Sequence, residues 1–113
     1  MEKMVVESFY GNEEVTISSG LYKDGTIAID LWCEEGPYAS LTVCLDLFLK
    51  KESKKAATEK GIGIVDTNNC PWAPAFIEKY DLGKPTGLEV ISGWCMYPEY
   101  IFNMEKIKKL SEF

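Results

Sequence analysis

The chain is 113 residues long, 46% hydrophobic and 27% charged, which excludes a disordered polypeptide and leads us to expect one domain over residues 1–113. At this length a single core buries roughly two-thirds of the surface that the unfolded chain exposes. All twelve basic residues are lysines, set against eighteen acids for a formal charge of −6; the planar guanidinium fork that grips guanine and phosphate is missing, and direct nucleic-acid binding is disfavoured.

Four strand signals open the chain, at Met4–Tyr10, Glu14–Ser18, Thr26–Cys33 and Tyr38–Leu45. Ile27, Ile29 and Leu31 alternate on the third, and Leu41, Val43 and Leu45 on the fourth, so each offers one apolar face to a core. Gly11-Asn12, Asp24-Gly25 and Glu35-Gly36-Pro37 supply turns with glycine where a positive φ is needed, and an antiparallel meander follows. From Asp46 to Lys60 five lysines and three acids form a connector, or an insertion, that reads as a solvated run. The seven lysines and fifteen acids left elsewhere would steer a basic partner, or simply keep the chain soluble.

Gly61–Val65 is a short apolar strand ending at Asp66, after which Thr67, Asn68, Asn69, Cys70 and Pro71 carry the side chains that cap a helix start. A helix over about Pro71–Tyr80 is predicted, with Ala73, Phe76, Ile77 and Tyr80 as its apolar stripe, Glu78 and Lys79 outward, and Gly83 as its stop. Lys84–Gly87 continues the turn. Strands at Leu88–Ser92 and Met96–Phe102 flank Gly93, and Asn103 caps a last helix along which Met104, Ile107 and Leu110 align, its late lysines suiting the dipole. The expected fold class is α+β: a mostly antiparallel sheet with one or two helices packed on one face.

No stretch approaches the roughly eighteen apolar residues of a membrane span, and the amino-terminal segment lacks a signal peptide's apolar core. A cytoplasmic protein without membrane contact is expected, with Cys33, Cys44, Cys70 and Cys95 as thiols acting mostly as small buried hydrophobes. If Cys33 and Tyr38 flank the Glu34–Pro37 turn, Cys44 faces Ile27 and is not Cys33's disulfide partner. Zinc is disfavoured because no C-x₂₋₄-C pair and no histidine occur; only four cysteines gathered from distant positions would make a metal site. No P-loop or dinucleotide fingerprint follows the glycine pairs, and no cofactor is expected.

Two groups of residues are candidates for function. Asp66, Asn68, Asn69 and Cys70 gather a carboxylate, two amides and a thiol at a helix start, where a cysteine's pKa is depressed and an anion can be held. That is the pattern of a small-molecule site or a hydrolase, but no histidine exists to serve as base, and the same residue types serve as caps and turns. The second group is aromatic: Tyr100 and Phe102 read as core, whereas Trp94, Tyr97 and Trp72 divide evenly between core and a partner-binding surface.

The motifs I-V-D-T-N-N (Ile64–Asn69), D-L-G-K-P-T-G (Asp81–Gly87) and S-G-W-C-M-Y-P-E-Y (Ser92–Tyr100) are the chain's most specific features, joined by F-Y-G at Phe9–Gly11 and L-T-V at Leu41–Val43. As a set they resemble a family of small bacterial proteins, domain-of-unknown-function family 4313. The resemblance implies a setting on conjugative transposons, plasmids and related mobile elements of Gram-positive gut bacteria, and it carries no catalytic residues. The lysine-rich connector departs from the pattern. By analogy with cargo of such elements, the expectation is a non-enzymatic protein that binds a host or element-encoded protein, including anti-CRISPR or antirestriction action. Its working surface would include Trp94, Tyr97, Glu99, Asn68, Asn69 and Trp72.

Overall fold

The structure, a computed structural model, describes residues 2–23, 25–44 and 59–111. The lysine-rich connector lies outside the described residues except for Glu59 and Lys60, as do Asp24 and Leu45.

Strands β1 (Met4–Ser8), β2 (Gly11–Leu21), β3 (Ile27–Cys33) and β4 (Gly36–Ser40) form the expected antiparallel meander in sequence order. Alternation decides which face is buried. Met4 lies opposite Val15 and Ile17 opposite Leu31, all four inside the core, while Thr16 and Trp32 pair on the outer face. The first turn falls two residues earlier than the glycine signal implies: Ser8 pairs with Gly11, so Phe9 and Tyr10 form the loop and stand fully exposed. The Ser8 hydroxyl donates to the Gly11 carbonyl (3.0 Å), which closes that loop.

The third turn also corrects the expected register. Gly36, at φ 130°, pairs directly with Cys33, which leaves only Glu34 and Glu35 in the loop, and an irregularity between Leu31 and Trp32 then sets Asp30 opposite Ser40. The fourth strand is therefore not one run to Leu45. It breaks at Leu41, whose amide donates to the Ile29 carbonyl, and the Thr42 hydroxyl accepts from the Ile29 amide (3.1 Å) where a strand carbonyl would otherwise sit. Tyr22 donates to the Thr42 carbonyl (2.8 Å). The chain thereby leaves the first sheet, β5 (Thr42–Val43) starts a second, and Cys44 is exposed rather than facing Ile27.

The second sheet has the order β5-β6-β8-β7, with β6 at Ile62–Val65, β7 at Gly83–Ser92 and β8 at Cys95–Phe102, all pairs antiparallel. Lys84–Gly87 belongs to β7 rather than to a turn. Pro85 is tolerated because β7 is an edge strand, and an irregularity between Pro85 and Glu89 absorbs the misfit. Gly83 starts this strand: a side chain there would put its Cβ 2.7 Å from the Ile101 carbonyl oxygen.

Helix α1 spans Ala73–Lys79, shorter than predicted, because Pro71 lies outside it and Pro74 takes a first-turn position. Its N-cap is Trp72 and no side chain caps it; Asn68 and Asn69 are too far back along the chain. Its stop is not Gly83 but Asp81, which adopts φ 52° while the amides of Asp81 and Leu82 return to the carbonyls of Glu78 (3.1 Å) and Ile77 (2.9 Å). This is a Schellman closure, held by burial of Leu82 with Ile77. Helix α2, Met104–Leu110, follows the expectation: the Asn103 side chain accepts from the Lys106 amide (3.1 Å), Ile107 is buried, and Lys108 and Lys109 sit in the last turn.

One apolar cluster draws on both sheets and both helices, among them Val6, Ile17, Leu31, Leu41, Phe76 and Phe102. The fold is α+β, with the expected antiparallel sheet divided into two. The outer edge of β1 is tied to the helices: the Val5 amide donates to Tyr80 Oη (2.7 Å), and Glu2 donates to the Leu110 carbonyl (3.2 Å). An exposed strand edge is thus partly closed.

Candidate functional site

β8 is supported on two sides only along part of its length. Its pairing with β6 ends at Glu99, opposite Ile64; from Pro98 to the tip it bonds to β7 alone, through Glu89–Pro98, Val90–Tyr97, Ile91–Met96 and Ser92–Cys95. What projects past β6 is a two-stranded ribbon closed by Gly93 and Trp94. Alternation sends Tyr100 and Phe102 into the core, and continuing the same face outward reaches Met96, which with its partner Ile91 lies beyond the core and is more than half exposed (57% and 62%). Trp94, at the tip, is fully exposed. The run Val90–Pro98 holds no charged residue.

The opposite face of the ribbon carries Tyr97 and Cys95, both half-buried. Interaction with the neighbouring Cys95 thiol, followed by burial, raises the Tyr97 phenol above its ordinary range. The β6–β8 register, continued two residues past the Ile64–Glu99 pair, brings Asp66 level with Tyr97, so the Asp66 turn adjoins the root of the ribbon.

The Asp66 turn is built around its own carboxylate. Asp66 Oδ1 accepts from the Asn69 amide (3.1 Å), Oδ2 from Asn69 Nδ2 (2.8 Å), and the Asp66 carbonyl from the Cys70 amide (2.9 Å). Its own amide donates to the Leu41 carbonyl, anchoring the turn to the strand switch. Asn69 thus faces inward chemically although it is exposed, and Asn68 is the exposed amide of the turn. Cys70 is buried, with Sγ 3.6 Å from the Ser40 carbonyl. Burial, and secondarily the Asp66 charge, push its thiol up to about 11, the reverse of the depressed pKa expected at a helix start. At neutral pH it is a protonated space-filler.

Trp72 stands apart from Trp94. It belongs to a row in which Tyr38 and Phe76 flank it at ring separations of 6.0 and 5.9 Å and Tyr80 follows Phe76 at 5.1 Å, so its half-buried ring closes the core over α1. Glu99 is half-buried, and its carbonyl accepts from Thr86 Oγ1 (3.3 Å). The candidate site therefore consists of Trp94 and Tyr97 on the ribbon, with Glu99 at its root and Asn68 on the adjoining turn. Sequence reasoning missed Ile91 and Met96, although the charge-free run was visible. It also missed Trp32, which alternation with Ile29 and Leu31 places on the outer face of the first sheet. Among the described residues no cluster of three or more histidine, cysteine or acidic side chains could hold a metal, and no helix is long and apolar enough to cross a membrane.

At the Asp66 turn the Cys70 thiol is held protonated, and both Asp66 carboxylate oxygens accept from Asn69. What the fold and site define is a small α+β protein of two antiparallel sheets with a projecting ribbon whose run Val90–Pro98 carries no charge. The family model for the domain of unknown function DUF4313 matches residues 16–113, and the chain belongs to that family. The Asp66, Asp81 and Ser92 motifs fall inside the matched span, and Phe9–Gly11 precedes it. No curated protein and no solved structure matches the chain.

Proposed function

We propose that this is a non-enzymatic, cytoplasmic binding protein that captures a host or element-encoded protein through the tip of the β7–β8 ribbon. The observation that carries the reading is the full exposure of Trp94 at the end of the uncharged run Val90–Pro98, whose Ile91 and Met96 are also uncovered. Large apolar side chains grouped at a protrusion cost solvation in the free protein, and tryptophan and tyrosine recur as anchors in protein interfaces. Trp94 inserts into a pocket of the partner, Tyr97 and Met96 cover the flanks, and Glu99 and Asn68 supply the polar rim. The mobile-element setting expected from the family resemblance supports an anti-defence role, anti-CRISPR or antirestriction.

The alternative, a small-molecule site or hydrolase at Asp66, Asn68, Asn69 and Cys70, is disfavoured by the raised Cys70 pKa and by the occupied carboxylate. The test is affinity capture from a host lysate with the wild type and with Trp94→Ala/Tyr97→Ala. The variant is expected to lose its partner while its thermal unfolding stays within a few degrees, as surface substitutions change stability by only about 0.5 kcal/mol each. Undiminished capture would remove the ribbon from the working surface.

A further inference from the structure

We propose that the ribbon takes its partner by strand addition: an extended segment of the partner protein pairs antiparallel with the free edge of β7 at Glu89–Ser92, with an apolar side chain beside Ile91 and a lysine or arginine beside Glu89. This rests on the ribbon being the working surface and specifies how that surface binds.

Register fixes which backbone groups of β7 face outward. The two-residue turn at Gly93 and Trp94 is closed by the Ser92–Cys95 pair, so Ser92 and Val90 turn their amides and carbonyls toward β8, while those of Glu89 and Ile91 point away from it. Two contacts of β8 agree with this phase. The Glu99 carbonyl, in step with Cys95 and Tyr97, accepts from Thr86 Oγ1 on β7 (3.3 Å), and the Phe102 amide, in step with Met96 and Pro98, donates to the Gly61 carbonyl on the opposite side (2.7 Å). Glu89 and Ile91 thus each present an unpaired donor and acceptor at the edge of the sheet.

The other strand edges among the described residues are blunted: β1 is tied to Tyr80 and Leu110, β4 carries Pro37, and β5 is two residues long. The root of β7 is closed too, since Pro85 has no amide hydrogen and the Leu88 amide donates to Thr86 Oγ1 (3.2 Å). On the far side of the ribbon, Pro98 removes a donor from the edge of β8. The open edge is left at Glu89–Ser92, and its side chains specify the occupant. Ile91 and Met96 form an exposed apolar row across the ribbon, which a third strand extends with an apolar residue. Glu89, two residues away on the same face, is exposed and has no ion-pair partner among the described residues, so the neighbouring row takes a cation. A second copy of the chain does not meet this requirement: each carries a net charge of −6, and the run Leu88–Phe102 holds no lysine to set beside Glu89.

The experiment is a titration of the ¹⁵N-labelled full chain with the peptide acetyl-Ser-Thr-Val-Thr-Lys-Thr-Ser-amide, which run antiparallel sets its valine beside Ile91 and its lysine beside Glu89, and with the same peptide carrying glutamate in place of lysine. Saturable amide shifts larger at Glu89 and Ile91 than at Val90 and Ser92 are expected with the lysine peptide, and binding about threefold or more weaker with the glutamate one. Ile91→Pro, which removes an outward amide that the fold does not use, should abolish binding, and Ile91→Val should retain it. Glu89→Lys leaves the backbone intact and should invert the preference between the two peptides. Four results would each overturn the proposal: no saturable shift along β7, shifts confined to Trp94, an unchanged preference in Glu89→Lys, or a dimer of the chain paired through this edge. In the lysate experiment, capture that needs Trp94 and Tyr97 but survives both Ile91→Pro and Glu89→Lys would leave the ribbon as the working surface and remove strand addition, whereas undiminished capture by Trp94→Ala/Tyr97→Ala would remove the ribbon itself.

Discussion

Asp66 shows how a residue with the look of catalysis is committed to architecture. Its two carboxylate oxygens organise the Asn69 end of the turn and its amide ties that turn to Leu41, so Asp66→Ala removes two hydrogen bonds to a charged group at once. A loss of about 2–4 kcal/mol is expected in urea denaturation, with the ribbon's side chains unaltered. Cys70 makes a second residue-level case. Its thiol titrates near 9 in the unfolded chain and near 11 in the folded one, so above about pH 9 the unfolded state releases its proton first and unfolding is favoured. This contribution is fully present below pH 9 and lost between roughly pH 9 and 11. Tyr22 and Tyr100, both raised chiefly by burial, act in the same direction. Thermal unfolding followed from pH 8 to 11 should show the decline, and Cys70→Ala should flatten its lower part. Position alone, a thiol at a helix start, pointed to the opposite shift, because burial is a property of neighbours distant in sequence.

Among the elements, the end of α1 separates two jobs that a sequence reading assigns to one glycine. Asp81 carries the left-handed conformation of the Schellman closure, whereas Gly83 is small because β8 passes against it. Asp81→Gly is expected to stabilise the protein by about 0.5–1 kcal/mol by relieving the strained φ, since the exposed Asp81–Lys106 pair at 3.9 Å contributes little. Gly83→Ala should cost about 1–3 kcal/mol, as backbone must move to admit the Cβ. Denaturant titrations of the two variants would shift in opposite directions; equal or inverted shifts would show that the roles had been assigned wrongly. Helix α2 is the contrasting element, since Asn103, the apolar spacing and the terminal lysines are local signals and all were legible. The switch at Leu41 was not, because it depends on a threonine hydroxyl meeting a strand amide thirteen residues away in the chain.

At the scale of the molecule, one core serves both sheets while the ribbon extends beyond it. Backbone hydrogen bonds of Val90–Tyr97 have support from one neighbour strand only, whereas those of Tyr100–Phe102 lie between β6 and β7. Hydrogen-exchange mass spectrometry should therefore find peptides from the ribbon exchanging about tenfold or more faster than those from the root of β8, with partner binding slowing the former. The amino-acid sequence by itself determined the α+β class, the inward face of β3, the apolar stripe of α1 and the capped α2, because these follow from side-chain period and from contacts within a few residues. Only the tertiary structure decided where β4 gives way to β5, that Trp72 is anchored in an aromatic row while Trp94 is bare, that Cys70 is silenced by burial, and that the Trp32 indole is held by Ser18 on the outer face of the first sheet. Exposure and charge are set by which distant strands become neighbours, and periodicity carries no record of how far a strand runs past the core it helps to cover.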